Sequence, residues 1–113
     1  MLERRNLLFI CSRNQWRSPT AEALWRRDPH VNVRSAGTSP RARRTVNASD
    51  IRWADILFVM ENKHRRRLKG MFPQLTARSL IHVLEIPDEY RYMDPELIDL
   101  LQVSVGDFLS QLD

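Results

Sequence analysis

The chain has 113 residues, 42% of them hydrophobic and 8% aromatic, with a formal net charge of +4. That length supports one domain with a true core and excludes two. Charge is uneven: residues 1–80 carry 17 of the 18 Lys and Arg but 6 of the 14 acids, while the last 33 residues hold 8 acids and Arg91 alone. A basic body favours an anionic partner, either a phosphorylated protein or a nucleic acid, without choosing between them.

The charged start Met1-Leu2-Glu3-Arg4-Arg5 is followed by an apolar run, Leu7-Leu8-Phe9-Ile10, too short for a signal-peptide core or a membrane span, so a cytoplasmic chain is expected. Asn6 to Ile10 suits a buried parallel strand. After the loop Cys11-Ser12-Arg13-Asn14-Gln15-Trp16, Ser18 reads as an N-cap and Pro19 as the first residue of a helix through Trp25. His30 to Arg34 forms a second strand, and Ala36 to Thr45, with Gly37, Pro40 and three arginines, reads as a loop. Asn47 and Asp50 have capping-box spacing, which predicts one helical turn before the strand Ile56 to Met60. A basic helix follows from Glu61 to Lys69, ended by Gly70 and Pro73. Its run Arg65-Arg66-Arg67 reads as an exposed helix face in preference to a nucleic-acid patch. His82 to Ile86 is a fourth strand. From Asp94-Pro95 onward, Leu97, Leu101, Val105, Phe108 and Leu112 recur at three- and four-residue intervals, giving a final amphipathic helix.

Strands alternating with helices predict a parallel sheet covered on both faces, with ligands bound beyond the carboxyl ends of its strands. The loop after strand one lies there, and it holds Cys11, the one cysteine of the chain. No internal disulfide can form, and His30, His64 and His82 lack ligand spacing around the thiol, so no metal or other cofactor is expected. Arg17 stands six positions after Cys11, a spacing that 16 arginines in 113 residues produce by chance about one time in seven. The context says more than the spacing. A strand delivers the thiol, six residues intervene, and a helix begins, so loop and helix amides can converge on one anion. An ordinary thiol titrates near 8.5, and stabilising a thiolate a thousandfold requires about 4 kcal/mol. A helix terminus supplies about 0.3–1, up to roughly 2. Arg17, the loop amides and the Ser18 hydroxyl would have to supply the remainder.

These residues resemble the low-molecular-weight protein tyrosine phosphatase family. Cys11, Asn14, Arg17, Ser18 and Pro19 match its phosphate-binding signature, and Ser35-Ala36-Gly37-Thr38 and Ala54-Asp55-Ile56-Leu57-Phe58-Val59-Met60 match further along, so that the likeness spans almost the whole of residues 1–113. The resemblance implies a flavodoxin-like α/β domain with a four-stranded sheet in the order 2-1-3-4. It implies a phosphomonoester hydrolase, with protein phosphotyrosine as substrate, in which Cys11 forms a phosphocysteine, Arg17 and the loop amides hold the phosphoryl oxygens, and an Asp serves as general acid. Ser18 would stabilise the departing thiolate, and Asn14, tied to Ser35, would hold the loop. Ser12, Arg13, Gln15 and Trp16 would line the substrate pocket, with Tyr90 as its aromatic wall.

The family writes its acid as Asp-Pro-aromatic, which suggests Asp94-Pro95. Position favours Asp88, just after strand four, because Asp94-Pro95-Glu96 reads as a helix cap. Glu89 replaces the family's proline after the acid, Arg13 replaces a glycine and adds charge to the rim, and Trp16 replaces a second cysteine, which removes disulfide protection of the nucleophile. The chain is also shorter than typical members between Thr38 and Asn47, which implies a more open pocket. A non-catalytic phosphate- or nucleic-acid-binding module on the same scaffold is the alternative. An arsenate reductase is disfavoured, since resolving an oxidised nucleophile needs cysteines this chain lacks.

Overall fold

The computed structural model describes residues 4–112; residues 1–3, part of the charged start, and Asp113 lie outside the described residues. Its elements in chain order are β1 (Arg5–Cys11), α1 (Arg17–Trp25), β2 (Val31–Gly37), α2 (Ala48–Trp53), β3 (Ile56–Val59), α3 (Asn62–Met71), α4 (Pro73–Thr76), β4 (Leu80–Val83) and α5 (Pro95–Leu112). The strands pair in parallel in the order β2-β1-β3-β4.

β1 and β3 lack apolar–polar alternation because both of their faces are covered. Leu7, Phe9 and Cys11 join Ile56 and Phe58 in one core cluster, where Ala21 of α1 and Leu97, Leu101 and Val105 of α5 close over them. Leu8, Ile10, Leu57 and Val59 face the opposite cluster with Ile51 and Leu68 from α2 and α3. All four residues Leu7 to Ile10 are fully buried, each worth roughly 1.5–3 kcal/mol of transfer free energy. The chain leaves β1 over one face through α1 and leaves β2 over the other through α2, so the connections diverge at the carboxyl end of β1, where such sheets open a crevice.

Several boundaries differ from the sequence reading, each for a tertiary reason. β2 runs three residues further, through Gly37, because it stays in register with β1 as far as Cys11. A Cβ on Gly37 would stand 2.5 Å from the Ser12 carbonyl oxygen, so only glycine lets these two backbones pass so closely. α1 begins at Arg17, with Trp16 at its N-cap; Ser18 is not the cap but a wholly buried first-turn residue. β4 spans Leu80–Val83 instead of His82 to Ile86. Glu85 takes a left-handed conformation (φ 58°) that breaks the regular strand, yet the Leu84 and Ile86 amides still donate to the Val59 and Met60 carbonyls at 2.8 Å. α3 passes through exposed Gly70 and stops at Phe72, whose conformation is restricted by the proline after it. Pro73 then opens α4, a turn the sequence reading lacked. The apolar stripe of α5 holds for Leu97, Leu101 and Val105, and Phe108 packs edge-on against Phe58; Leu112, beyond the sheet, is 40% exposed.

Candidate active site

β1 ends by delivering Cys11 into a loop whose outer side is fastened to the segment after β2. The Cys11, Ser12 and Arg13 carbonyls accept from the amides of Thr38 (3.0 Å), Ser39 (2.9 Å) and Arg43 (3.0 Å). With those oxygens committed outward, the amides of Ser12, Arg13, Gln15 and Trp16 find no acceptor among the described residues. Asn14 sits at φ 54°, a left-handed conformation that asparagine tolerates better than most residues.

The hydrogen bonds behind the loop form a chain whose polarity is set from Glu22. Ser35 Oγ lies 2.5 Å from Glu22 Oε1, and a carboxylate only accepts, so the Ser35 hydroxyl is the donor there. Ser35 Oγ must then accept from Asn14 Nδ2 at 2.9 Å, and the same amide nitrogen donates to Ser18 Oγ, also at 2.9 Å. Ser18 is left with one hydrogen, for which Cys11 Sγ at 3.0 Å is a nearer acceptor than the Ala36 carbonyl at 3.4 Å. The Asn14 amide reaches the same sulfur at 3.2 Å. Two donors thus converge on Sγ, oriented from Glu22 through three side chains.

Arg17, 2% exposed, is held from two further elements. Its Nη1 donates to Glu61 Oε2 at 2.6 Å and to the Ile86 carbonyl at 2.8 Å, while Nε stands 3.7 Å from Asp88 Oδ1. Burial raises the Glu61 carboxyl, but its hydrogen bond to Arg17 and the charges of Arg17, Lys63 and His64 outweigh that, and its pKa is lowered. On the far side of the loop, the Glu61 amide donates to His64 Nδ1 at 3.0 Å, which places the ring proton on Nε2, 2.8 Å from Ser12 Oγ. Burial, and secondarily the charge of Arg17, lowers His64 to about 4, so the ring is neutral. His64 therefore donates to Ser12, leaving the Ser12 hydroxyl hydrogen free.

These elements enclose a hollow of about 290 Å³ lined by Cys11, Ser12, Arg13, Gln15, Trp16, Arg17 and Asp88. Asn14 and Ser18 lie behind it, 6% and 0% exposed. Asp94 is elsewhere, accepting from the Glu96 and Ile98 amides at the start of α5. Tyr90 departs from its expected place: it packs against the first core cluster, outside the residues that line the hollow, and exposed Trp16 supplies the aromatic surface at the rim. Glu22, Glu61 and His64 were absent from the sequence reading of the site. The topology offered a signal for Glu61 alone, since it follows β3 at the same sheet edge as Cys11. Among the described residues no three His, Cys, Asp or Glu side chains gather as a metal site would require, and no helix is long and apolar enough to cross a membrane.

A parallel sheet in this order, with a thiol and an arginine on the loop at its switch point, defines a flavodoxin-like domain built around an anion-sized hollow. No protein-family model matches the chain. The low molecular weight protein-tyrosine-phosphatase Wzb of Escherichia coli K12 is 30% identical, over 76% of this chain and 78% of that protein. The chain belongs to the low-molecular-weight protein-tyrosine-phosphatase family. Among solved structures, the tyrosine phosphatase Wzb from Escherichia coli K30 in complex with phosphate superposes with a TM-score of 0.78 at 24% identity, covering 100% of both chains. The low molecular weight protein tyrosine phosphatase SP-PTP from Streptococcus pyogenes gives 0.78 at 20% identity, covering 96% of this chain and 93% of that one. The YwlE arginine phosphatase from Geobacillus stearothermophilus gives 0.68 at 21% identity, covering 96% of each. At such identities these structures show a shared fold.

Proposed function

We propose that the protein is a phosphomonoesterase acting on phosphorylated proteins, with phosphotyrosine as its ester. One observation carries this reading: Cys11 and Arg17, at the two ends of one loop, and Asp88, more than seventy residues along the chain from both, line the same small hollow. The curated relative named for protein tyrosine phosphatase activity supports it.

In the first step Cys11 Sγ attacks phosphorus, the phosphorus–oxygen bond to the substrate breaks, and the Asp88 carboxyl gives its proton to the departing oxygen. The unused loop amides and the free edge of the Arg17 guanidinium hold the equatorial oxygens as their charge develops. In the second step Asp88 takes a proton from water, whose oxygen attacks the phosphocysteine. The sulfur–phosphorus bond breaks, and Sγ leaves as a thiolate that accepts from the Ser18 hydroxyl and the Asn14 amide. Asp88 is 55% exposed, so it can meet both the ester oxygen and incoming water. No step calls for a cofactor. A lone thiol nucleophile suits a reducing, cytoplasmic setting.

Cys11→Ser should abolish turnover of an aryl phosphate, and hydrolysis that persists in that variant would remove the proposed nucleophile. Asp88→Asn should slow esters with poor leaving groups far more than activated ones; equal losses would remove Asp88 as the acid.

A further inference from the structure

A second, larger cleft of about 630 Å³ adjoins the hollow and shares Ser12 with it. Thr38, Ser39 and Pro40 form one wall; Lys63, Arg66 and Arg67 of α3 line the other. Positions 63, 66 and 67 are spaced three and four apart, so they share one helix face. The run Arg65-Arg66-Arg67 is thereby divided: Arg65, half-buried, lies outside the cleft, and the two exposed arginines line it.

The arginines around the site divide into paired ones and unpaired ones. Arg17, Arg34 and Arg44 each pair with a carboxylate, and Lys63 shares Glu61 at 3.7 Å. Arg66 and Arg67, like Arg13 at the rim of the hollow, have no carboxylate partner among the described residues. The face stays open because the segment after β2 folds back on itself, with the Ala42 amide and the Thr45 hydroxyl both donating to the Ser39 carbonyl at 3.0 Å.

We propose that this cleft binds an acidic side chain, carboxylate or phosphate, that flanks the phosphorylated residue of a protein substrate. The proposal rests on the phosphatase reading and deepens it: the preferred substrate is a phosphoprotein segment with negative charge within a few residues of the ester. An extended segment advances about 3.3 Å per residue, so a residue near the ester can enter the adjoining cleft. Two uncommitted guanidiniums match one or two anionic groups, whereas a nucleic-acid strand presents a phosphate at every step.

The test compares the wild type with an Arg66→Gln/Arg67→Gln double variant on an aryl phosphate and on phosphotyrosyl peptides flanked by acidic or neutral residues, at low and high salt. Carboxylate and phosphoserine flanks are separate arms. The wild type should favour acidic peptides about fivefold in kcat/KM at low salt, since two exposed ion pairs are worth roughly 0.2–1 kcal/mol each. High salt should erase the preference, and so should the double variant, with aryl phosphate turnover within about twofold of wild type as evidence that the hollow is intact. Equal rates on acidic and neutral peptides, or a preference that survives the double variant, would overturn the proposal. So would salt-sensitive RNA binding lost in the double variant without any peptide preference, which would assign the cleft to nucleic acid. Absence of aryl phosphate turnover by the wild type is a separate result, and it would overturn the phosphatase reading itself.

Discussion

Arg17 and Glu61 form a 2.6 Å ion pair in which the arginine is 2% and the glutamate 29% exposed. Glu61 thus aims the guanidinium from the end of β3. With the Ile86 carbonyl it occupies Nη1, leaving Nη2 without a partner among the described residues and Nε 3.7 Å from Asp88 Oδ1, which lines the hollow. Glu61→Ala should leave a buried cation short of its partner, at a cost of about 2 kcal/mol, below the roughly 3–5 of a fully buried pair because Glu61 touches solvent. Aryl phosphate kcat/KM should fall on the order of tenfold or more as the arginine loses its aim. Glu61→Gln, whose amide oxygen still accepts, should recover part of both. Chemical denaturation and steady-state kinetics check these outcomes, and an alanine variant with unchanged kcat/KM would show that Glu61 does not position Arg17.

Glu22 sets the direction of the hydrogen-bond chain that ends on Cys11. A glutamine there can donate to Ser35, which frees Ser35 to donate toward Asn14 and disturbs the amide orientation that points the Ser18 hydrogen at sulfur. Glu22→Gln should therefore slow breakdown of the phosphocysteine by about threefold to tenfold, the worth of one charge-assisted hydrogen bond weakened at a distance. Rapid-mixing experiments should show an enlarged burst with little change in the first step. Equal slowing of both steps would mean Glu22 supports the loop without orienting it.

Stability should fall as acid is added well before the carboxylates are protonated. His64 binds its proton with a pKa near 6.5 unfolded but about 4 folded, because burial and then Arg17 oppose its charge. Between those values the unfolded chain holds a proton the native protein excludes, so unfolding free energy drops by up to about 3 kcal/mol from pH 6.5 to 4. His82, lowered by its burial, adds to the same slope. Glu61, shifted the other way about its charge, stabilises above its ordinary 4.5 and loses that contribution only as pH falls through its lower native value. Denaturation midpoints of His64→Gln should depend less steeply on pH in the upper window, while the acid limb below about 4.5 should persist. An unchanged upper slope would sink this assignment.

Gly37→Ala tests the packing beneath the loop. The added methyl would meet the Ser12 carbonyl oxygen at 2.5 Å, the Ala42 Cβ at 2.7 Å and the Arg13 carbonyl carbon at 3.0 Å, and two of the three are backbone. Rigid neighbours cannot yield cheaply, so about 1–3 kcal/mol of stability should be lost, together with aryl phosphate activity as the loop is pushed outward. A stable variant with full turnover would contradict this account of the glycine.

Local chemistry was legible in the residue order. The buried runs of β1 and β3, the Asn47–Asp50 capping box, found intact with both bonds at 2.9 and 3.0 Å, and the stripe of α5 all arise from interactions within a few residues or from burial that any covering helix would satisfy. The loop motif and the closeness of Asp88 to strand four likewise pointed to the hollow. Element ends were less legible, because the length of β2 depends on its partner and the break in β4 on a single left-handed residue.

The groups that aim the site could not be read that way. Glu61 meets Arg17 across 44 residues, His64 meets Ser12 across 52, and Glu22 reaches Ser35 across 13. Each is an ordinary polar residue on an ordinary helix or cap until the sheet brings its strand ends together. Residue order alone established a thiol, an arginine and a strand to present them. Which way their hydrogen bonds point, and which arginines stay unpaired beside them, came from long-range packing, since a side chain's partner is set by the neighbours folding supplies.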